Sequence, residues 1–126
     1  MAEPSKGIVK AVAELELHEV AAGTATQTQV LVGEDDGAPN FAMRRFVMGA
    51  GGGMPFHTNA VEHEQYVLRG RARVRIGDEV HDVKANDAVY IPAGTPHSYE
   101  VIEAPFEFLC VVPIQPDTIK LVENDG

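Results

Sequence analysis

Residues 51–70 read GGGMPFHTNAVEHEQYVLRG, and residues 86–101 read NDAVYIPAGTPHSYEV. In an extended strand, side chains two apart share a face. His57 and Asn59 therefore share one face. In the next segment His63, Gln65 and Val67 face one way, and Glu64, Tyr66 and Leu68 the other. In the second stretch His97, Tyr99 and Val101 oppose Ser98 and Glu100. Each of the three histidines falls beside a turn rich in glycine or proline. If His57, His63 and His97 all point into one interior, they offer imidazole donors to a single divalent transition metal. Manganese, iron, copper, nickel and zinc all remain open.

Working outward, the rest of the chain reads as short strands and turns. Gly and Pro together number 20 and fall between brief apolar runs, as in all-β barrels. Strands are expected over 26–32, 41–48, 55–58, 63–68, 72–76, 80–83, 88–91, 97–102 and 106–112. A weak alternation over 11–20 suggests another strand in an N-terminal extension of about 25 residues. Turns are expected at 33–37, 49–53, 77–78, 85–87 and 92–96, with Gly77-Asp78 as a tight hairpin loop. Residues 116–126 carry little apolar content and read as a short frayed tail. There is no helical period, internal repeat or linker, so residues 1–126 read as one all-β domain, a barrel or jelly roll.

The two stretches resemble the paired motifs of the cupin superfamily, and of its small prokaryotic single-domain members in particular. The first cupin motif runs Gly, five residues, His-x-His, three or four residues, Glu, six residues, Gly. Gly51, His57 and Gly70 fall in register, with Asn59 at the second histidine position and His63 at the glutamate position. The second motif runs Gly, five residues, Pro-x-Gly, two residues, His, three residues, Asn. Pro92, Gly94 and His97 match, Asn86 replaces the glycine and Val101 the asparagine. Asparagine tolerates positive φ better than other residues with a side chain, so the first replacement spares the turn. The resemblance implies a jelly-roll barrel with a metal held by His57, His63, His97 and Asn59. Asn59 would act as a weak amide-oxygen ligand or hold a metal-bound water. A register one residue longer puts Glu64 at the ligand position, and Glu62 is a third candidate.

Other residues suggest roles around that site. Tyr99 shares the His97 face and offers a hydrogen bond to substrate or water. Gln65 shares the His63 face and could orient it. Cys110 alternates inward with Phe106 and Phe108 and reads as a small core residue. Arg44 and Arg45 are adjacent in a strand, so one faces each side and one could meet an anionic substrate in the barrel. Arg69, Arg71, Arg73 and Arg75 form a charged outer edge. His18 and His81 have charged neighbours and read as surface histidines.

The net charge of −9 makes nucleic acid an unexpected partner. A lone cysteine, no secretory pattern and no long apolar run suggest a cytoplasmic protein without a membrane partner. Tyr66, Leu68 and the N-terminal apolar positions suggest a homodimer. The leading functional expectation is a metal-dependent, oxygenase-like oxidoreductase acting on a small organic substrate, with Tyr99 and Gln65 as its catalytic residues. A Lewis-acid isomerase or lyase, and a non-enzymatic ligand- or metal-binding module, are the alternatives. No nucleophilic triad, phosphate loop or zinc-finger spacing is present.

Overall fold

A computed structural model of the chain describes residues 6–123. Three long antiparallel strands dominate it: β3 (Phe41–Thr58), β4 (His63–Ile76) and β7 (His97–Pro113). Shorter strands surround them: β1 (His18–Glu19), β2 (Thr24–Val32), β5 (Glu79–Lys84), β6 (Ala88–Ile91) and β8 (Lys120–Leu121). The sheet runs β1-β2-β3-β7-β4-β5. Strand β6 pairs with the first half of β4, and β8 pairs with the end of β3. The result is the jelly-roll barrel expected of the sequence. Among the described residues, no helix is long and apolar enough to cross a membrane.

Each long strand was expected as two. The stretch 49–53 is not a turn. It lies within β3, where the register against β7 shifts between Met48 and Gly53 and again between Met54 and His57. Likewise 63–68 and 72–76 are one strand, with register shifts between Val67 and Ala72. Glycine marks bulges as well as turns, and a strand that must bend around a barrel uses it so. Gly70 adopts φ +81°, and a Cβ there would lie 2.2 Å from the Pro105 carbonyl oxygen. Gly53 sits as tightly against β7, since its Cβ would lie 2.0 Å from the Tyr99 carbonyl oxygen. The backbone bearing Tyr99 is therefore set by a residue with no side chain.

The Gly77-Asp78 hairpin forms as expected: Ile76 pairs with Glu79, and Gly77 takes φ +58°. Asn86 takes φ +74° in its turn. Two terminal expectations need correction. Residues 11–20 are a 3-10 turn at Val12–Glu14 followed by the two-residue β1, so the weak alternation does not make a full strand. The tail does not fray from residue 116. Lys120 and Leu121 pair with Thr58 and His57, and only 124–126, like 1–5, lie outside the described residues.

The interior packs Met48, Val67, Val74, Ile91, Phe106 and Phe108. Burying each contributes about 1.5–3 kcal/mol, so the barrel wall does not depend on a bound group for its cohesion. Toward the ends of β3, β4 and β7 the buried residues turn polar, and the site lies there.

Candidate metal and substrate site

His57, one residue before the end of β3, is paired across the ladder with His97, the first residue of β7. Their rings lie 4.2 Å apart, centroid to centroid, and His63, at the start of β4, lies 5.8 Å from His97. All three are buried. Each of the first two is oriented by a carbonyl two residues before it. His57 Nδ1 is 2.6 Å from the Pro55 oxygen, and His97 Nδ1 is 2.9 Å from the Thr95 oxygen. A carbonyl only accepts, so both rings carry a proton on Nδ1, which makes Nε2 the lone-pair nitrogen of the neutral ring. His63 Nδ1 is 3.1 Å from Cys110 Sγ, while its Nε2 is buried with no hydrogen-bond partner.

Burial pulls the His63 pKa down from 6.5 to about 4, aided by the positive charge of Arg44. Burial likewise lowers His97 to about 4. Both rings are therefore neutral at pH 7, which is the protonation state a metal ligand needs. Glu62 and Glu64, the alternative ligands, are exposed, and a side-chain hydrogen bond with Glu62 raises the Glu64 pKa. The strand parity that puts His63 inside puts Glu64 outside.

The three histidines open onto a cavity of about 270 Å³, lined also by Asn59, Gln65, Tyr99 and Arg44. Asn59 is buried, and its Nδ2 donates to Asp117 Oδ2 at 3.0 Å. Asp117 Oδ1 accepts from the backbone N–H groups of Ala60 and Thr118. Asp117 belongs to no motif and falls in the segment read as a frayed tail, so sequence reasoning missed it. Gln65 Nε2 donates to the Tyr99 hydroxyl at 2.7 Å. Burial raises the Tyr99 pKa far above its ordinary range, so the phenol stays protonated. Phe46, Phe108 and Tyr99 stack nearly parallel, with centroids 5.1 and 5.5 Å apart, and form an apolar wall.

The adjacent arginines divide as strand parity requires. Arg45 pairs with Glu107 and donates to Gln29 Oε1. Arg44 lines the cavity. His18 and His81 are well exposed, each near a glutamate. Arg71 and Arg73 pair with outer carboxylates, and Arg75 lies over the Phe56 ring.

Among the described residues, no group of three or more His, Cys, Asp or Glu side chains is closed up to metal-holding distances. The histidines share one cavity without forming a finished ligand set. Their chemistry nevertheless suits a metal. Two rings are fixed in the Nε2 lone-pair tautomer by backbone carbonyls, and the third has a buried, unpartnered Nε2. Carbonyl-anchored imidazole is the usual arrangement behind a metal-bound histidine.

The family model for the cupin domain matches residues 44–112. The polyketide cyclase RemF from Streptomyces resistomycificus has 27% identity and a TM-score of 0.82, over 94% of this chain and 89% of that one. A cupin 2 domain-containing protein from Halorhodospira halophila has 32% identity and a TM-score of 0.71, over 78% of this chain and 70% of that one. An uncharacterized protein of Methanocaldococcus jannaschii, MJ1618, is 40% identical over 50 residues, which span 39% of this chain and 40% of that protein's length. With the barrel, both motifs and more than half of its residues matched, this chain belongs to the cupin family.

Proposed function

We propose that this cupin is a metal-dependent enzyme acting on a small organic substrate, with the metal held by His57, His63 and His97. The observation that carries this reading is the buried Nε2 of His63, which has no partner, in one cavity with two histidines anchored through Nδ1. A buried polar atom left unpaired is costly, and a bound cation would satisfy it. A metal there would supply electron-transfer chemistry with dioxygen if it is iron, copper or manganese, or polarisation of a carbonyl if it is zinc.

The chain's own residues fit an oxygenase-like oxidoreductase. Three imidazole ligands would leave coordination positions open for dioxygen or substrate. The stacked Phe46, Phe108 and Tyr99 rings exclude water from the substrate. Tyr99, held neutral and oriented by Gln65, is a hydrogen-bond donor throughout the physiological range. Asn59 and Asp117 tie the C-terminal segment across the cavity rim. The Lewis-acid reading has one observation in its favour, the likeness to a polyketide cyclase along nearly the whole chain. We place the protein in the cytoplasm as a homodimer, its Tyr66 and Leu68 side chains being turned outward and about two-fifths exposed. Light scattering that gives a monomer at all concentrations would remove the dimer.

The deciding experiment strips the protein, reloads it separately with iron, manganese, copper, nickel and zinc, and measures metal content and oxygen uptake against candidate substrates. One metal per chain with oxygen consumed only by the redox-active forms is expected. Turnover by the zinc form without oxygen transfers the protein to the Lewis-acid class. No stoichiometric binding of any of the five metals would sink the metalloenzyme reading.

A further inference from the structure

Arg44 and Arg45 are chemically identical neighbours with different fates. Arg45 is paired with Glu107 and Gln29, while no carboxylate within 4 Å of Arg44 exists among the described residues. Arg44 Nε is buried without a partner, and Nη2 reaches only the Cys110 sulfur, at 3.8 Å. The guanidinium carbon lies 5.1 Å from the centroid of the Phe46 ring. The residue as a whole is half-buried, but a buried N–H left without an acceptor is costly unless a ligand completes it. Of the two carboxylates in the cavity lining, Glu19 and Asp117, neither pairs with Arg44, and Asp117 is already engaged by two backbone N–H groups and by Asn59.

Tyr99 repeats the pattern. Its hydroxyl oxygen accepts from Gln65, so its own proton must go elsewhere, and no acceptor for it exists among the described residues. Arg44, through its unpartnered Nε–H, and Tyr99, through its O–H, thus supply donors to the cavity that both line. Beside them stand the flat faces of Phe46 and Phe108. The cavity volume of about 270 Å³ lies just below the usual range of ligand pockets, about 300–1,000 Å³, so it suits a small occupant.

We propose that Arg44 and Tyr99 form an oxyanion subsite, which makes the substrate a small, flat organic acid with its carboxylate on Arg44 and its unsaturated body against Phe46 and Phe108. The planar guanidinium fork matches a carboxylate in two parallel hydrogen bonds, which a lysine could not do. The subsite rests on the reading of this cavity as a substrate pocket, but not on which metal it holds.

Benzoate and its neutral isostere benzamide are the ligands with which to test it. Both are titrated calorimetrically into the full chain as purified, with metal content measured on the same samples, and again into His97→Ala. Benzoate should bind at least tenfold more tightly than benzamide in both proteins. Arg44→Gln should lose at least tenfold in benzoate affinity, keep its weak benzamide affinity and retain its metal. Tyr99→Phe should lose a smaller factor, about threefold to tenfold. Equal binding of the two ligands to the unaltered chain overturns the proposal, and that comparison stands even if Arg44→Gln does not fold. A benzoate preference that vanishes in folded His97→Ala also overturns it, because the carboxylate would then be reading the metal. A chain that binds no metal yet prefers benzoate refutes the metalloenzyme reading and supports the subsite.

Discussion

His57 and His97 have committed their Nδ1 protons to backbone carbonyls and offer lone pairs, while Arg44 and Tyr99, in the same cavity, offer protons without acceptors. The histidine group suits a cation, and the arginine group suits an anion. A cavity meant only to be packed would have paired these groups with one another or replaced them by apolar side chains. The contrast shows why the site reads poorly as a structural hydrogen-bond network and well as a pocket for two ligands of opposite character. It also gives two independent ways to break the reading.

The largest effect should come from the histidine group. His57→Ala, His63→Ala and His97→Ala should each lower metal occupancy at least tenfold, while the barrel still melts cooperatively, because its core of Met48, Val67, Phe106 and Phe108 is untouched. Elemental analysis beside a circular-dichroism melt reads both quantities. Full occupancy in folded His97→Ala would remove the metal site. Full occupancy in His63→Ala would transfer its role to Glu62 or Glu64, despite their outward placement.

Next in size is the pH dependence of the metal-free protein. The His63 and His97 pKa values fall from 6.5 to about 4 on folding. Between those values the unfolded chain binds more protons than the native one, so stability declines as pH drops. The decline starts near pH 6.5 and is complete near pH 4. Linkage puts it at roughly 3 kcal/mol for each histidine. Urea midpoints at pH 7, 5.5 and 4 would trace it, and His97→Ala should remove about half. A flat profile over that window would mean that the rings are not buried neutral.

Strand parity and motif spacing made much of this legible beforehand. They put His63 with Gln65 on one face and Glu64 on the other, and His97 with Tyr99 on a shared face, but left open which faces turn inward; in the structure His57, His63, Gln65, His97 and Tyr99 are buried and Glu64 is exposed. They could not show that the glycines at 49–53 bend one strand instead of joining two, because a glycine run signals a departure from regular pairing without saying which kind. Nor could they choose between Arg44 and Arg45. Alternation guarantees that the two differ, but the bulges in β3 hide which faces the cavity. Asp117 was invisible for another reason: its role depends on a return of the tail to His57 and Thr58, a long-range pairing that leaves no local pattern.

A smaller effect tests Asn59, which the family pattern places beside His57. Its amide nitrogen is engaged by Asp117, so Asn59→His removes a charge-assisted hydrogen bond as well as adding an imidazole. The substitution should tighten metal binding, measured by chelator competition. It should also cost about 1.5–3 kcal/mol of stability in the metal-free protein. Asp117→Ala should cost more, because it also removes the acceptor of the Ala60 and Thr118 N–H groups, and the double variant should cost less than the sum of the two, since both remove the Asn59 contact. Unchanged metal affinity in a folded Asn59→His would show that this side chain serves the tail and not the metal.

The finest test asks whether the two groups of the cavity sense each other. The Arg44 charge is the largest contribution after burial to the lowered pKa of His63, and it is absent from the causes that lower His97. Arg44→Gln should therefore raise the His63 titration midpoint and leave that of His97 in place, as followed by imidazole proton shifts in the metal-free protein. The sign is fixed by electrostatics: removing a positive neighbour eases protonation. A partial opening of the barrel would rehydrate both rings and move both midpoints upward together, so the difference between the two histidines separates a lost charge from a lost fold. If only His63 responds, the guanidinium and the histidine share one low-dielectric space, and an anion arriving at Arg44 would raise the His63 midpoint in the same direction as the substitution does. If neither responds, the Arg44 charge is screened from the histidines by solvent, and the cation and anion demands of the cavity belong to separate compartments.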